Sequence, residues 1–162
     1  MLGWRSSCPA SAHHGVMAVL GNHEEAETAV ELGNLGVRML INEAVEITKH
    51  YGCEDLEGPL QGVPANAFKV ALMHSPEMYA QAAAAGIHLY LCEHTHAGQG
   101  RLPWIEATLM NADCPCPCTQ GHWQHGAMLG HTSAGVGRSL LPLRYSCPPE
   151  IALIEMAKKR SP

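Results

Sequence analysis

Three largely apolar runs, residues 16–20, 68–73 and 87–92, each stop at polar residues able to hold a metal. These are Gly21-Asn22-His23-Glu24, His74-Ser75-Pro76 and His94-Thr95-His96. Short apolar runs bounded by Gly or polar breakers read as buried strands. Helical segments lie between them. Residues 24–35 carry Ala26, Ala29, Val30 and Leu32 on or near one face, with acids in the first turn, where the helix dipole favours them. Residues 77–85 are Ala-rich and closed by Gly86. Residues 37–41 and 44–48 read as two more strands, and 50–67, broken by Gly and Pro, as loop. The order predicts an α/β chain with crossover helices. Residues 102–137 yield no assignable element. Residues 151–156 read as a final strand, and 1–14 and 157–162 as poorly ordered tails of a single domain.

In open α/β sheets, ligand sites form at the carboxyl ends of the strands. If these strands are parallel, Asn22, His23, His74, His94 and His96 share one rim. In the His94-x-His96 pair, residues i and i+2 of an extended segment point to the same side, about 6.6 Å apart. Paired metals in hydrolases sit about 3.5–4 Å apart, so such a pair can give one imidazole to each. Taken singly, each residue has a plainer role. Asn22 reads as a turn residue or helix N-cap, Glu24 as a first-turn acid, His74 as a cap, His88 as a partly buried strand residue and Arg144 as an ion-pairing side chain.

Composition narrows the classes. The chain has 162 residues, one domain's worth, and a formal net charge of −5. That charge argues against a nucleic-acid partner, which calls for a basic face. No apolar run approaches the ~18 residues of a spanning helix, and no secretory leader is visible. Eleven His point to metal chemistry. Seven Cys, an odd number, suggest reduced thiols or metal ligation rather than a disulfide framework. Cys114, Cys116 and Cys118, followed by His122 and His125, read either as a zinc site or as a loop with reactive thiols.

The three strand-end motifs, in order, resemble the calcineurin-like metallophosphoesterase superfamily. Residues 16–24 resemble its strand followed by G-N-H-[DE], residues 71–77 its strand followed by a metal-binding His, and residues 89–99 its G-H-T-H-G-G-Q. Residues 135–151 resemble its bacterial branch. The resemblance implies an α/β/β/α sandwich with mixed sheets. It implies Asn22, His74 and His94 on one metal and His96 on another. It places His23 beside the phosphate as the group that stabilises or protonates the leaving oxygen. Glu24 would orient nearby groups; apart from the resemblance, Glu93 and Arg144 are further candidates to support the site or contact substrate. The cofactors would be two divalent ions of Mn, Fe, Zn or Co, since mixed oxygen and nitrogen donors suit these. The reaction would be attack of a metal-activated water on a phosphomonoester, phosphodiester or diphosphate. The substrate would be a phosphorylated small molecule or lipid-linked molecule, and the location cytoplasmic or peripheral to the bacterial inner membrane.

The chain departs from that pattern. The family's opening D-x-H and G-D-x-x-D motifs have no counterpart before Gly21, where the first 20 residues contain no Asp. The N-terminal strand-helix portion is therefore expected to be missing, with weak binding of one ion or none, impaired hydrolysis and an exposed sheet edge that favours self-association. A non-catalytic metal- or partner-binding remnant is the alternative. Glu93 and Ala97 stand where the family has Gly, and His88 where the branch has Asp. Glu93 either strains the turn or adds a carboxylate to the site.

Overall fold

The computed structural model describes residues 12, 14–22, 26–41, 43–45, 50–52, 57–100, 112–139 and 143–157. His23 and Glu24 lie outside these residues, as do both tails apart from Ala12, His14 and Ala157. In chain order the elements are β1 (Val16–Ala18), α1 (Ala26–Asn34), β2 (Val37–Met39), β3 (Glu43–Val45), β4 (His50–Gly52), α2 (Glu57–Leu60), β5 (Val70–Leu72), α3 (Tyr79–Ala84), β6 (Leu89–Cys92), β7 (Gly121–His125) and β8 (Met128–Thr132).

The strands form two sheets. β1 and β2 pair in parallel, and six strands form a mixed sheet in the order β3-β4-β5-β6-β8-β7. Its four inner strands run parallel, while β3 and β7 join their neighbours antiparallel. This mixed α/β arrangement, with two sheets and few helices, is compatible with the partial sandwich expected from the sequence.

Sequence explains the local turns. α3 is built of Ala, a strong helix former, and ends in a Schellman motif. Gly86 takes φ +75°, its N–H donates to Ala83 O, and Ile87 N–H donates to Ala82 O. Ala82 and Ile87 are both buried, which supplies the apolar contact that accompanies this cap. The main core lies on one face of the six-stranded sheet, where Ala71, Tyr90, Cys92, Trp123 and Met128 pack with Ala82 and Ile87. Residues at alternate positions point to one face, so Ala71 and Met73 share it along the β5 segment, as do Tyr90 and Cys92 along β6.

Several expectations need correction. Residues 50–67 carry β4 and α2 as well as loop. Residues 102–137, left without an element, contain the β7–β8 hairpin. Residues 151–157 carry no strand, and Ile151 and Leu153 are almost fully exposed. Their apolar run suits a buried strand, but no described strand pairs with them. His88 is exposed rather than partly buried and precedes β6; its Nδ1 accepts from Lys69 N–H, and its ring lies against Phe68.

Candidate metal centre

The strand ends converge. The parallel ladder carries on past β5, β6 and β8, with Met73 N–H donating to Leu91 O, Glu93 N–H to His74 O and Ser133 N–H to Cys92 O. This alignment sets His74 and His94 side by side, their ring centroids 4.5 Å apart and nearly edge-on. Asn22, beyond the end of β1, reaches the same place from the other sheet. Its Oδ1 lies 3.0 Å from His74 Nε2, and its backbone N–H donates to that nitrogen at 3.3 Å. Three of the four residues expected as metal ligands are thus brought together from three strand ends.

The loop after β6 is held in an uncommon backbone conformation. His94, His96, Ala97 and Gln99 all have φ between +47° and +66°. Non-glycine residues in the left-handed region are strained and cluster at functional sites. Interior bonds hold them there. Buried Thr95 donates to Thr119 O at 2.7 Å and accepts from Ala97 N–H. The Gln99 amide bonds Ser139 in both directions. Ala97 adopts at φ +52° the conformation that a glycine takes most easily. Glu93 is not among the positive-φ residues, so the strain reading of that position falls away.

Glu93 Oε1 lies 3.8 Å from His74 Nδ1, on the side of the ring away from Asn22. His96 meets a cation, with Arg144 Nη2 3.5 Å from its Nδ1. The Arg144 guanidinium also donates to the carbonyls of Ala134, Gly137, Cys147 and Pro148. Arg144 therefore ties residues 134–137 and 147–148 to His96. A second divalent ion at His96 would stand beside a permanent positive charge, which disfavours it.

The donors that meet here suit one divalent cation. An amide oxygen and imidazole nitrogens are ligands of Zn, Mn, Fe and Co. Two adjacent ligands, each about 2.1 Å from one ion, stand about 3.0 Å apart in octahedral and about 3.4 Å apart in tetrahedral geometry, and the 3.0 Å between Asn22 Oδ1 and His74 Nε2 fits the octahedral spacing. Among the described residues no three His, Cys, Asp or Glu side chains are grouped to hold a metal, so the set depends on the Asn22 amide.

The cysteine cluster does not form the zinc site considered above among the described side chains. Cys118 is buried in the core with Cys92, and Cys114 packs against it. The His122 ring lies tilted against His131, and the His125 ring meets Tyr79 edge-on. Burial raises the Cys118 thiol above its ordinary pKa.

Two bacterial proteins are similar to the chain. The chain is 30% identical over 105 residues, 65% of its length, to the uncharacterized metallophosphoesterase YkuE of Bacillus subtilis. It is 29% identical over 145 residues, 83% of its length, to the phosphodiesterase YaeI of Escherichia coli. The chain is thus similar to bacterial proteins of the calcineurin-like metallophosphoesterase family. It spans 36% and 52% of the lengths of these two relatives. No family model and no solved structure matches it. Against this metallophosphoesterase background, the sequence reading missed Gly135. Its positive φ of +63° and its place against Glu93 and His96 show only in the fold. The sequence signal was the Gly135-Val136-Gly137 stretch.

Proposed function

We propose that the chain is a metal-dependent phosphoesterase centred on one divalent ion held by Asn22, His74 and His94. The observation that carries this reading is the meeting of these three side chains from separate strand ends. When bound, the ion supplies Lewis-acid polarisation of a phosphoryl oxygen and lowers the pKa of an attacking water. The chain's own residues do the rest. His23, next in sequence to Asn22, is the proton donor to the leaving oxygen. Arg144, beside His96, provides a cationic edge that attracts the phosphate charge. The substrates are phosphorylated small molecules or lipid-linked phosphates.

The test is hydrolysis of bis(p-nitrophenyl) phosphate in the presence of Mn²⁺. Turnover should fall about 10²–10⁴-fold in His23→Ala, the range for losing a general acid. His94→Ala should remove the dependence on Mn²⁺. Absence of turnover at every Mn²⁺ concentration would favour a non-catalytic metal-binding domain. The contact of His96 with Arg144, in place of a second ligand cluster, is the observation on that side.

A further inference from the structure

We infer that Glu93 is a positioning residue for the metal centre, seated there by Gly135. It holds His74 with the Nε2 lone pair turned towards Asn22, and it supplies a negative charge that the neutral donors Asn22, His74 and His94 lack. This rests on the centre proposed above.

Four observations carry the inference. Glu93 Oε1 is 3.8 Å from His74 Nδ1, while His74 Nε2 faces Asn22, so the carboxylate and the candidate ion position lie on opposite sides of one imidazole. A carboxylate on the far nitrogen fixes the tautomer and raises the basicity of the near one. Second, Asn22 meets His74 Nε2 with both its N–H, at 3.3 Å, and its Oδ1, at 3.0 Å, so Asn22 alone admits either tautomer and the Glu93 carboxylate facing Nδ1 is what selects the Nδ1-protonated form. Two acceptors, Nε2 and Asn22 Oδ1, then stand 3.0 Å apart, an arrangement that a cation between them relieves. Third, the backbone couples the two residues, because Glu93 N–H donates to His74 O. Fourth, Gly135 makes the room. A Cβ there would come within 2.7 Å of Glu93 Oε2, and Gly135 sits at φ +63°, where any other residue is strained. Glycine is thus required at 135 for the Glu93 carboxylate to stay where it is.

The experiment is calorimetric titration of the metal-free chain with MnCl₂, beside its melting temperature in EDTA. Glu93→Gln should bind Mn²⁺ about 10–100-fold more weakly than the wild type. Its melting in EDTA should be unchanged, because the Glu93 side chain is 44% exposed. Gly135→Ala, which pushes the carboxylate aside, should weaken Mn²⁺ binding in the same direction, and the Glu93→Gln/Gly135→Ala pair should lose less than the sum. In the metal-free wild type, the ¹⁵N shifts of His74 should report the Nδ1-protonated tautomer, and in Glu93→Ala a mixture. Wild-type affinity in Glu93→Gln, with binding lost in His74→Ala, overturns the role of Glu93 and leaves the centre standing. No Mn²⁺ binding by the wild type, or wild-type binding in His74→Ala, overturns both.

Discussion

Burial pushes the Cys92 thiol from its ordinary 9.0 up to about 12, against a lowering hydrogen bond from Thr132 and with smaller upward contributions from Cys114, Cys118 and Glu93. The thiolate is the reactive form, so Cys92 should be inert at pH 8. Brief iodoacetamide treatment of the native chain, read by mass spectrometry, should label half-buried Cys114 and spare Cys92; equal labelling of both would refute this. The same shift has a sign for stability. An unfolded Cys92 ionises near 9.0 and the folded one near 12, so its contribution is whole below pH 9 and is lost as pH rises through that interval. The urea midpoint should therefore fall more steeply between pH 9 and 11 in the wild type than in Cys92→Ala. Arg144 illustrates another limit of residue-level reading. Its sequence context left ion pairing and phosphate contact open, and the fold uses its guanidinium mainly on backbone carbonyls and His96.

The β7–β8 hairpin turns at Gly126 and Ala127, with Gly126 at φ +59°, as a two-residue type II′ turn requires. Its inner face is closed by Trp123 lying over Gly130, where a Cβ would come within 2.3 Å of the indole ring. Trp123 is buried and its Nε1–H donates to Thr132 at 2.9 Å, so the ring cannot move aside. Gly130→Ala should cost about 2–3 kcal/mol and lower the melting temperature by about 4–12 °C for a chain of this size. A melting point within a degree of wild type would show that the indole repacks freely. Thr132→Val keeps the shape but leaves the Trp123 N–H and the Cys118 carbonyl without their partner, and should cost about 2–4 kcal/mol. These interactions also explain why the hairpin was not legible. Gly121, Gly126 and Gly130 break the apolar alternation, and the core side of β8 is completed by a Trp from the neighbouring strand rather than by a residue of its own. The strands ending at Asn22, His74 and His94 were legible because local apolar runs and abrupt polar stops mark them. The apolar run at 151–156 was misleading for the converse reason. An apolar run is a local property, whereas a strand needs a partner edge, which no pattern within six residues can supply.

Asn22 belongs to the end of the two-stranded sheet, His74 and His94 to the end of the six-stranded one. An ion held by all three would tie the sheets together. The two sheets differ in how firmly they are held without it. The main core is built on the six-stranded sheet, whereas α1 buries no residue and the β1 side chains are only half-buried. Amides of β1 and β2 should therefore exchange with deuterium well before those of β5 and β6 in metal-free protein. At Mn²⁺ about 100 times the dissociation constant, binding adds about 2.7 kcal/mol to the state that holds the ion. Opening that separates Asn22 from His74 must first release the ion. Exchange in β1 and β2 should then slow by up to about 100-fold, while β5 and β6, already protected by the core, change less. Asn22→Ala should abolish the extra protection in β1 and β2 while leaving the metal-free exchange pattern intact. Protection that appears only in β5 and β6, or that survives Asn22→Ala, would mean that the ion does not bridge the sheets and that Asn22 meets His74 as a hydrogen-bond partner alone.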